Sequence, residues 1–438
     1  MDLSGDLRGL RRVWPLALLV CAMACASPAA TTRDTRAADE EPAPRFAAGG
    51  PDAEALGAGA GYPKGDRSTF YDVETAVGSH SHLDEIFPGR LVHKAPAPSR
   101  LVRVPEPRIT WWFQGADLTL DDYVARNLTT GLLIARGDTI LVERYQYGRT
   151  DRHRFTSWSM AKTVTAMLVG IAIAEGHIRS VDDPAAAYVS ELAGTEYGRT
   201  SLRHLLQMSS GVRFREDYSG SDDVMRLVGD TYLRYGAGGP SAVTSFNERA
   251  APAGTKFSYA SVETQVLGLV LRGATHLPPA EYLESRIWRP IGAEADATWL
   301  IDNSGQEATF CCLNAVLRDY ARLGLLLAHD GNWRGRQIIP AAWVREATTT
   351  RADQPHLWPG VATRTFGYGY QTWIIPGRMR PGDRRMFMLW GVRGQRIYVD
   401  PQSKLVMVNT AVHKRSVDGA ALREMDAFWA ALVSQLGG

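Results

Sequence analysis

Ser159-Met160-Ala161-Lys162 sets a hydroxyl and an amine three residues apart in the 438-residue sequence. On a helix, side chains at that spacing share a face, and the amine comes within hydrogen-bond reach of the hydroxyl. The chemistry this pairing serves is nucleophilic attack. A serine hydroxyl is a weak nucleophile at neutral pH and needs a base, and a lysine can be that base once burial disfavours its charged form. The residues that follow favour burial: Val164, Met167, Leu168 and Ile171 recur at helical spacing, the segment is apolar most of the way round, and Gly176 stops it. A serine near the start of such a helix also has backbone N–H groups and positive dipole beside it, which suits a developing oxyanion.

Ser-x-x-Lys recurs by chance and gains weight only from its surroundings. Phe155-Thr156-Ser157-Trp158 precedes it and Thr163-Val164-Thr165 follows. Downstream stand Leu202-Arg203-His204-Leu205-Leu206-Gln207-Met208-Ser209-Ser210-Gly211 and Gly254-Thr255-Lys256-Phe257-Ser258-Tyr259-Ala260-Ser261. In that order and at those separations, from about Leu118 to the C-terminus, the chain resembles the penicillin-recognising serine hydrolases of the β-lactamase superfamily. Within it, class C β-lactamases, related carboxylesterases and, most closely, 6-aminohexanoate-dimer hydrolases are similar.

The resemblance implies roles for particular residues. Ser159 is the nucleophile and Lys162 its partner; Tyr259 matches the tyrosine that shares the proton transfers and protonates the leaving group. Ser261 stands where many members have Asn, as is usual in the aminohexanoate-hydrolase branch. Tyr218 matches a tyrosine that closes over the substrate. Leu389-Trp390-Gly391 corresponds to the Lys-Thr-Gly strand, so the amides of Ser159 and Val392 form the oxyanion hole, with Tyr218, Ser261, Trp390 and Gly391 toward the substrate. Leu389 is a departure: it offers no hydrogen bond to a substrate carboxylate, whereas the superfamily's first residue is cationic or polar. Arg393 and Arg396 are near enough in sequence to substitute, and strand alternation does not place them.

The function implied is hydrolysis of an ester or linear amide through a Ser159 acyl-enzyme, with no cofactor and a small-molecule substrate. The alternatives are a D-Ala-D-Ala carboxypeptidase or β-lactamase, and a non-catalytic penicillin-binding-like scaffold. No Gly-x-Ser-x-Gly elbow, Walker loop or dinucleotide glycine pattern occurs. Ser157 is a competing hydroxyl without a lysine three residues on. His80-Ser81-His82 lacks further ligand spacing and reads as a solvated loop, so no metal is assigned; His153 and His204 read as structural, Trp390 as sheet packing rather than substrate stacking, and Asp222-Asp223 as a solvated loop pair.

Elements must position these groups. Leu132 to Ala135 and Ile140 to Val142 read as a hairpin turning at Arg136-Gly137-Asp138. Tyr368 to Ile375, Met386 to Trp390, Arg396 to Val399 and Leu405 to Val412 read as late strands, with a turn at Asp400-Pro401-Gln402-Ser403. Between lies a helical stretch, about Asp182 to Thr365, including Leu313 to Ala328 and Pro340 to Ala347. Ala420 to Leu436 is an amphipathic helix. The expected fold class is α+β: an antiparallel sheet of five or more strands built from both chain ends, flanked by helices, with a mostly helical inserted domain.

Composition bounds the rest. Net charge is +2 with basic residues scattered, so no nucleic-acid footprint shows. Arg8, Arg11 and Arg12 precede the apolar run Val13 to Met23, the order of parts in a secretory signal and too short to span a bilayer. Residues 1–24 are therefore read as a signal peptide, with Cys25 a lipidation candidate in a weak lipoprotein box. Residues 25–65 read as a disordered linker, 66–117 as an N-terminal extension and 118–438 as the hydrolase domain. The product is exported, periplasmic or extracellular, and meets a membrane only through a lipid on Cys25. Cys311-Cys312 is taken as core packing, since neighbouring cysteines rarely bridge. Oligomeric state is not legible.

Overall fold

The computed structural model describes residues 41–376 and 384–437. The signal segment, Cys25 and the linker as far as residue 40 lie outside the described residues. Among the described residues no helix is long and apolar enough to cross a membrane.

The hairpin forms from β1 (Thr129–Arg136) and β2 (Thr139–Tyr145). The late strands are β3 (Gly367–Tyr368), β4 (Trp373–Ile375), β5 (Met386–Trp390), β6 (Arg396–Asp400) and β7 (Leu405–Ala411). Their order across the sheet is β2-β1-β7-β6-β5-β4-β3, with every neighbour antiparallel, so the two chain ends meet where β7 pairs with β1. The sheet is nonetheless mixed. Arg45–Phe46 and Val102–Arg103 pair in parallel with β2, which corrects the purely antiparallel expectation. Two-residue strands show no alternation by which a sequence could reveal them.

Helices cover both faces of the sheet. Alternate residues such as Leu133, Ala135, Ile397 and Val408 face one layer, which contains α1 (Ala161–Ala174), α2 (Ser261–Thr275) and α3 (Leu317–Ala328). Leu132, Ile134, Tyr398 and Met407 point the other way, onto Phe428, Trp429 and Leu432 of α4 (Gly419–Leu436). Because strand side chains alternate between faces and both faces are covered, the strands read as nearly unbroken apolar runs. Helix α1 sits within the first layer, packed against α2 and β5, and is buried all round from Ala161 to Ala172. It ends as expected at Gly176, whose φ of 78° only glycine adopts without steric cost.

Three expectations need correction. Leu313–Ala315 is a strand, not the first turn of α3; it joins Gly89–Val92, Ala297–Leu300 and Phe155–Thr156 in a short antiparallel sheet. A three-residue apolar run fits either period, so its partners decide. From residue 41 the presumed linker is packed: Leu56 and Tyr62 are buried with Val77, Tyr147 and Val412. The N-terminal extension is equally part of the body. Phe70, Leu83, Phe87 and Leu101 join the main core, and a boundary at 117/118 would cut the hairpin in which Leu118 pairs with Trp111. Ala/Gly/Pro-rich composition conceals such isolated apolar anchors, because they carry no periodicity.

Candidate active site

Ser159 stands where the short sheet hands over to α1. Phe155–Thr156 pairs with Leu313–Ala315, Trp158 takes a φ of 42°, and a single tight turn over Trp158–Met160 runs into the helix. Ser159 is left half-exposed at this junction. Ser157 is fully buried, its hydroxyl donating to the Trp158 carbonyl and accepting from the Leu313 amide. Its hydroxyl is therefore engaged with backbone groups, besides lacking a lysine three residues on.

Lys162 follows on the first turn of α1, 1% exposed. Its Nζ lies 3.0 Å from Ser159 Oγ and donates to the Phe310 carbonyl at 2.9 Å. Burial lowers the ammonium's pKa to about 8, against an opposing pull from Glu216. The Phe310 carbonyl is held in turn by α2: Thr309 donates its amide to Gln265 Oε1 and its hydroxyl to the Thr264 carbonyl, at 3.1 and 2.9 Å. Phe310 leads into Cys311 and Cys312, which are joined by a disulfide. That overturns the expectation of free core cysteines: the pair sits in a turn, where Cys312 has a φ of 66°, rather than in a helix.

Tyr259 precedes α2 and lies over the amine, its ring centroid 5.0 Å from Lys162 Nζ. Trp373 of β4 stacks on the tyrosine at 5.4 Å. Burial and the charge of Glu216 push the Tyr259 phenol up, while the neighbouring Ser159 hydroxyl partly offsets them. The run carrying it is clamped to the Met208-Ser209-Ser210-Gly211 motif: the Ser258 amide donates to the Met208 carbonyl at 2.8 Å and Ser210 Oγ donates to buried Glu263.

Glu216 is the residue that the sequence did not single out. Half-buried, it accepts from the Ser261 amide at 2.7 Å, the Ser261 hydroxyl at 2.8 Å and the Tyr218 hydroxyl at 2.9 Å. Burial raises its pKa, and Lys162, Ser261 and Tyr218 draw it back. Ser261 is 1% exposed, so it braces the carboxylate rather than facing substrate, which corrects its expected place. Tyr218 remains partly exposed at the mouth, at a φ of 58°. Its amide donates to Asp222 at 2.6 Å; Asp222 is thus a buried loop brace and not a solvated charge.

The third motif reaches the turn that carries Ser159 as the end of β5. A Cβ on Gly391 would lie 2.3 Å from the Ser157 carbonyl oxygen, so glycine there allows strand and turn to meet. Val392 then opens a short helical turn, and the amides of Val392 and Ser159 both fall among those a helix start leaves without partners. Leu389 is buried in the core. Trp390 packs 4.9 Å from Trp373 and under the Arg396 guanidinium at 4.0 Å, so its ring belongs to the sheet. Arg396 is itself buried, donating to the Gly391 and Gln395 carbonyls. Arg393 projects elsewhere, over the Tyr71 ring at 4.8 Å. His80, far from a solvated loop, is buried with its ring 5.4 Å from Trp158. Among the described residues no group of three or more His, Cys, Asp or Glu is placed to hold a metal ion.

Known proteins resemble this chain in sequence and in fold. The 6-aminohexanoate-dimer hydrolase of Paenarthrobacter ureafaciens is 28% identical over 297 residues, covering 66% of this chain and 74% of that protein. A solved Bacillus anthracis structure assigned as a 6-aminohexanoate-dimer hydrolase superposes with a TM-score of 0.75 at 23% identity, over 85% of this chain and 98% of that one. A penicillin-binding protein homologue from Caulobacter crescentus aligns with a TM-score of 0.52 at 17% identity, over 70% and 93% of the two chains. These two structures establish a shared fold. The beta-lactamase family model matches residues 117–426, well over half the sequence, and the chain belongs to that family.

Proposed function

We propose that the protein is a serine hydrolase that cleaves an ester or linear amide through an acyl-enzyme on Ser159. The observation that carries this reading is the contact between Lys162 Nζ and Ser159 Oγ, with the amine desolvated toward a neutral-range pKa. Lys162 takes the Ser159 proton as Oγ attacks the carbonyl carbon, and the Ser159 and Val392 amides receive the oxyanion. Tyr259, whose phenol burial keeps protonated, delivers a proton to the departing alcohol or amine. Water then attacks the acyl-enzyme, its proton passing to the same pair, and Ser159 leaves protonated. Glu216 stabilises the ammonium while Lys162 holds the proton.

The Paenarthrobacter relative's name, a dimer hydrolase, supports a linear amide among the substrates. Buried Leu389 supports placing β-lactams and D-Ala-D-Ala peptides behind esters and linear amides, because it offers their carboxylate nothing. The Cys311–Cys312 bond supports export, as disulfides persist in oxidising compartments. The deciding experiment is acyl-enzyme mass spectrometry on wild type and Ser159→Ala across an ester, a linear amide and a β-lactam. Adducts on the wild type alone are expected, strongest with the ester or amide; an adduct that survives in Ser159→Ala overturns the nucleophile assignment.

A further inference from the structure

Only Cys311 and Cys312 separate Phe310 from Leu313, and these two flanking residues hold different halves of the Ser159 and Lys162 pair. The Phe310 carbonyl accepts from Lys162 Nζ at 2.9 Å, and its ring centroid lies 5.5 Å from that nitrogen. Leu313 is bound twice to Ser157, two residues before the nucleophile: its carbonyl accepts from the Ser157 amide at 2.8 Å and its amide donates to the Ser157 hydroxyl at 3.1 Å. The chain from the anchor of the amine to the anchor of the hydroxyl therefore runs through two residues joined by a disulfide.

This bond does little for the stability of the fold as a whole. A disulfide stabilises mainly by closing a loop of unfolded chain, and neighbouring cysteines close none. Its effect is local. Cys312 holds a left-handed φ of 66°, which residues with a Cβ adopt at a cost, and the covalent link restricts the peptide between the two cysteines to few orientations. The surrounding hydrogen bonds use no sulfur. Trp299 Nε1 donates to the Ala308 and Cys311 carbonyls at 3.1 and 2.8 Å, the Leu300 amide to the Cys312 carbonyl at 3.2 Å, and the Thr165 hydroxyl to the Thr309 carbonyl at 2.9 Å. They keep the segment in place once the sulfurs part, so what is lost is the fixed relation between Phe310 and Leu313. Both cysteines are buried, 3% and 0% exposed, so the bond reaches the chemistry through the backbone and touches no substrate.

We infer that the Cys311–Cys312 bond is a redox-controlled positioning device for Ser159 and Lys162: the enzyme is fast with the pair oxidised and slow with it reduced. The inference rests on the Ser159 reading. A dithiol reductant breaks the Sγ–Sγ bond and supplies two electrons and two protons, leaving two thiols while the dithiol itself becomes a disulfide. Oxidised glutathione reverses the step, taking up the same electrons and protons to become two thiols.

The test uses the full chain with Cys21→Ala and Cys25→Ala, so that only this pair responds. One preparation is made and kept in dithiothreitol, the other is treated with oxidised glutathione, and intact mass tells them apart by two hydrogens. With p-nitrophenyl butyrate, kcat should be about 10- to 100-fold lower in the reduced form while KM stays within about 2-fold, because alignment and not binding is lost. Labelling of Ser159 by a fluorophosphonate should slow in proportion, and oxidised glutathione should restore both rates. Adding Cys311→Ala and Cys312→Ala should give the reduced rate and no response to either reagent; if that variant does not fold, the two preparations decide. Equal kcat and equal labelling in the two forms overturn the inference, as does a reduced form without native circular dichroism, since the bond would then hold the fold rather than the alignment. Ser159→Ala is run in both states: if it still hydrolyses the ester, the nucleophile reading fails by itself, whatever the redox ratio.

Discussion

Glu216→Gln tests the proton inventory of the site most directly. Burial brings Lys162 from 10.5 to about 8, which at pH 7 raises its neutral fraction from roughly 0.03% to roughly 9%, or ~300-fold. Glu216 works against this, because its negative charge favours the ammonium. Glutamine keeps an oxygen for the Ser261 and Tyr218 hydroxyls, at the expense of the bond from the Ser261 amide, and removes the charge, so the amine loses its proton more easily. An opposite charge at such range is worth on the order of one pKa unit, which moves the acidic limb of kcat/KM from about 8 to about 7. The sign is fixed: the neutral amine is the active form, activity rises with pH through its pKa, and lowering that pKa moves the limb to lower pH. At pH 6 the competent fraction grows from ~1% to ~9%. The plateau should fall, by at most about 10-fold, because the same carboxylate stabilises the ammonium formed when Ser159 is deprotonated. Stopped assays of p-nitrophenyl ester hydrolysis across the pH range, with melting curves at each pH, would read both effects. A limb that stays in place or moves upward refutes either Lys162 as the base or Glu216 as its electrostatic partner.

Gly391→Ala should leave the core folded but cut kcat by about 100-fold or more, because its Cβ would fall 2.3 Å from the Ser157 carbonyl and push Val392 out of line as an oxyanion donor; a near-normal kcat with native circular dichroism would exclude Val392 from that role. Lys162→Met should abolish turnover and also change how stability depends on pH. The folded protein holds this amine at about 8 rather than 10.5, so the unfolded chain binds more protons between those values, and wild type should gain about 3 kcal/mol on the variant as pH rises through that window. Urea unfolding curves that run parallel for the two proteins would show that Lys162 is not desolvated.

What could be read from the sequence was what depends on neighbours along the chain. The Ser159 and Lys162 contact follows from helical spacing, and the β1 and β2 hairpin from two apolar runs about a short polar turn. The partners of Lys162 could not be found that way. Phe310 is 148 residues away and Glu216 is brought in by a loop, so only the hydrogen bonds of α2 to Thr309 at one side and to Glu216 at its start unite them. Ser261 looked like a substrate residue because its place in the motif was legible while its orientation was not; Glu216 determines that. Tyr259 was located by resemblance rather than by any periodicity of its own. The strand Leu313–Ala315 and the packed residues from 41 onward were missed because two or three apolar residues carry no period.

Backbone conformation gives the failures a common cause. Trp158, Met208, Tyr218, Cys312, Gln371 and Arg393 all have φ between 42° and 66°, a region non-glycine residues rarely enter, and all lie around Ser159 or on the segments that brace it. Each such residue costs on the order of 1 kcal/mol, so surrounding contacts must impose it. They are present: Tyr71 stacks on Trp158, Asp222 takes the Tyr218 amide, the Ser416 carbonyl takes the Arg393 amide, and Gln371 is fastened to Leu205 and Leu206. A left-handed residue turns the chain abruptly, and here the turns expose Ser159, aim Tyr218 at the mouth and lift Arg393 off the sheet. Local preference would have kept these residues extended or helical. Reading by local preference therefore misses the loops that bring Glu216 and Tyr218 to the Ser159 and Lys162 pair it finds easily, because these loops depend on long-range contacts that override it.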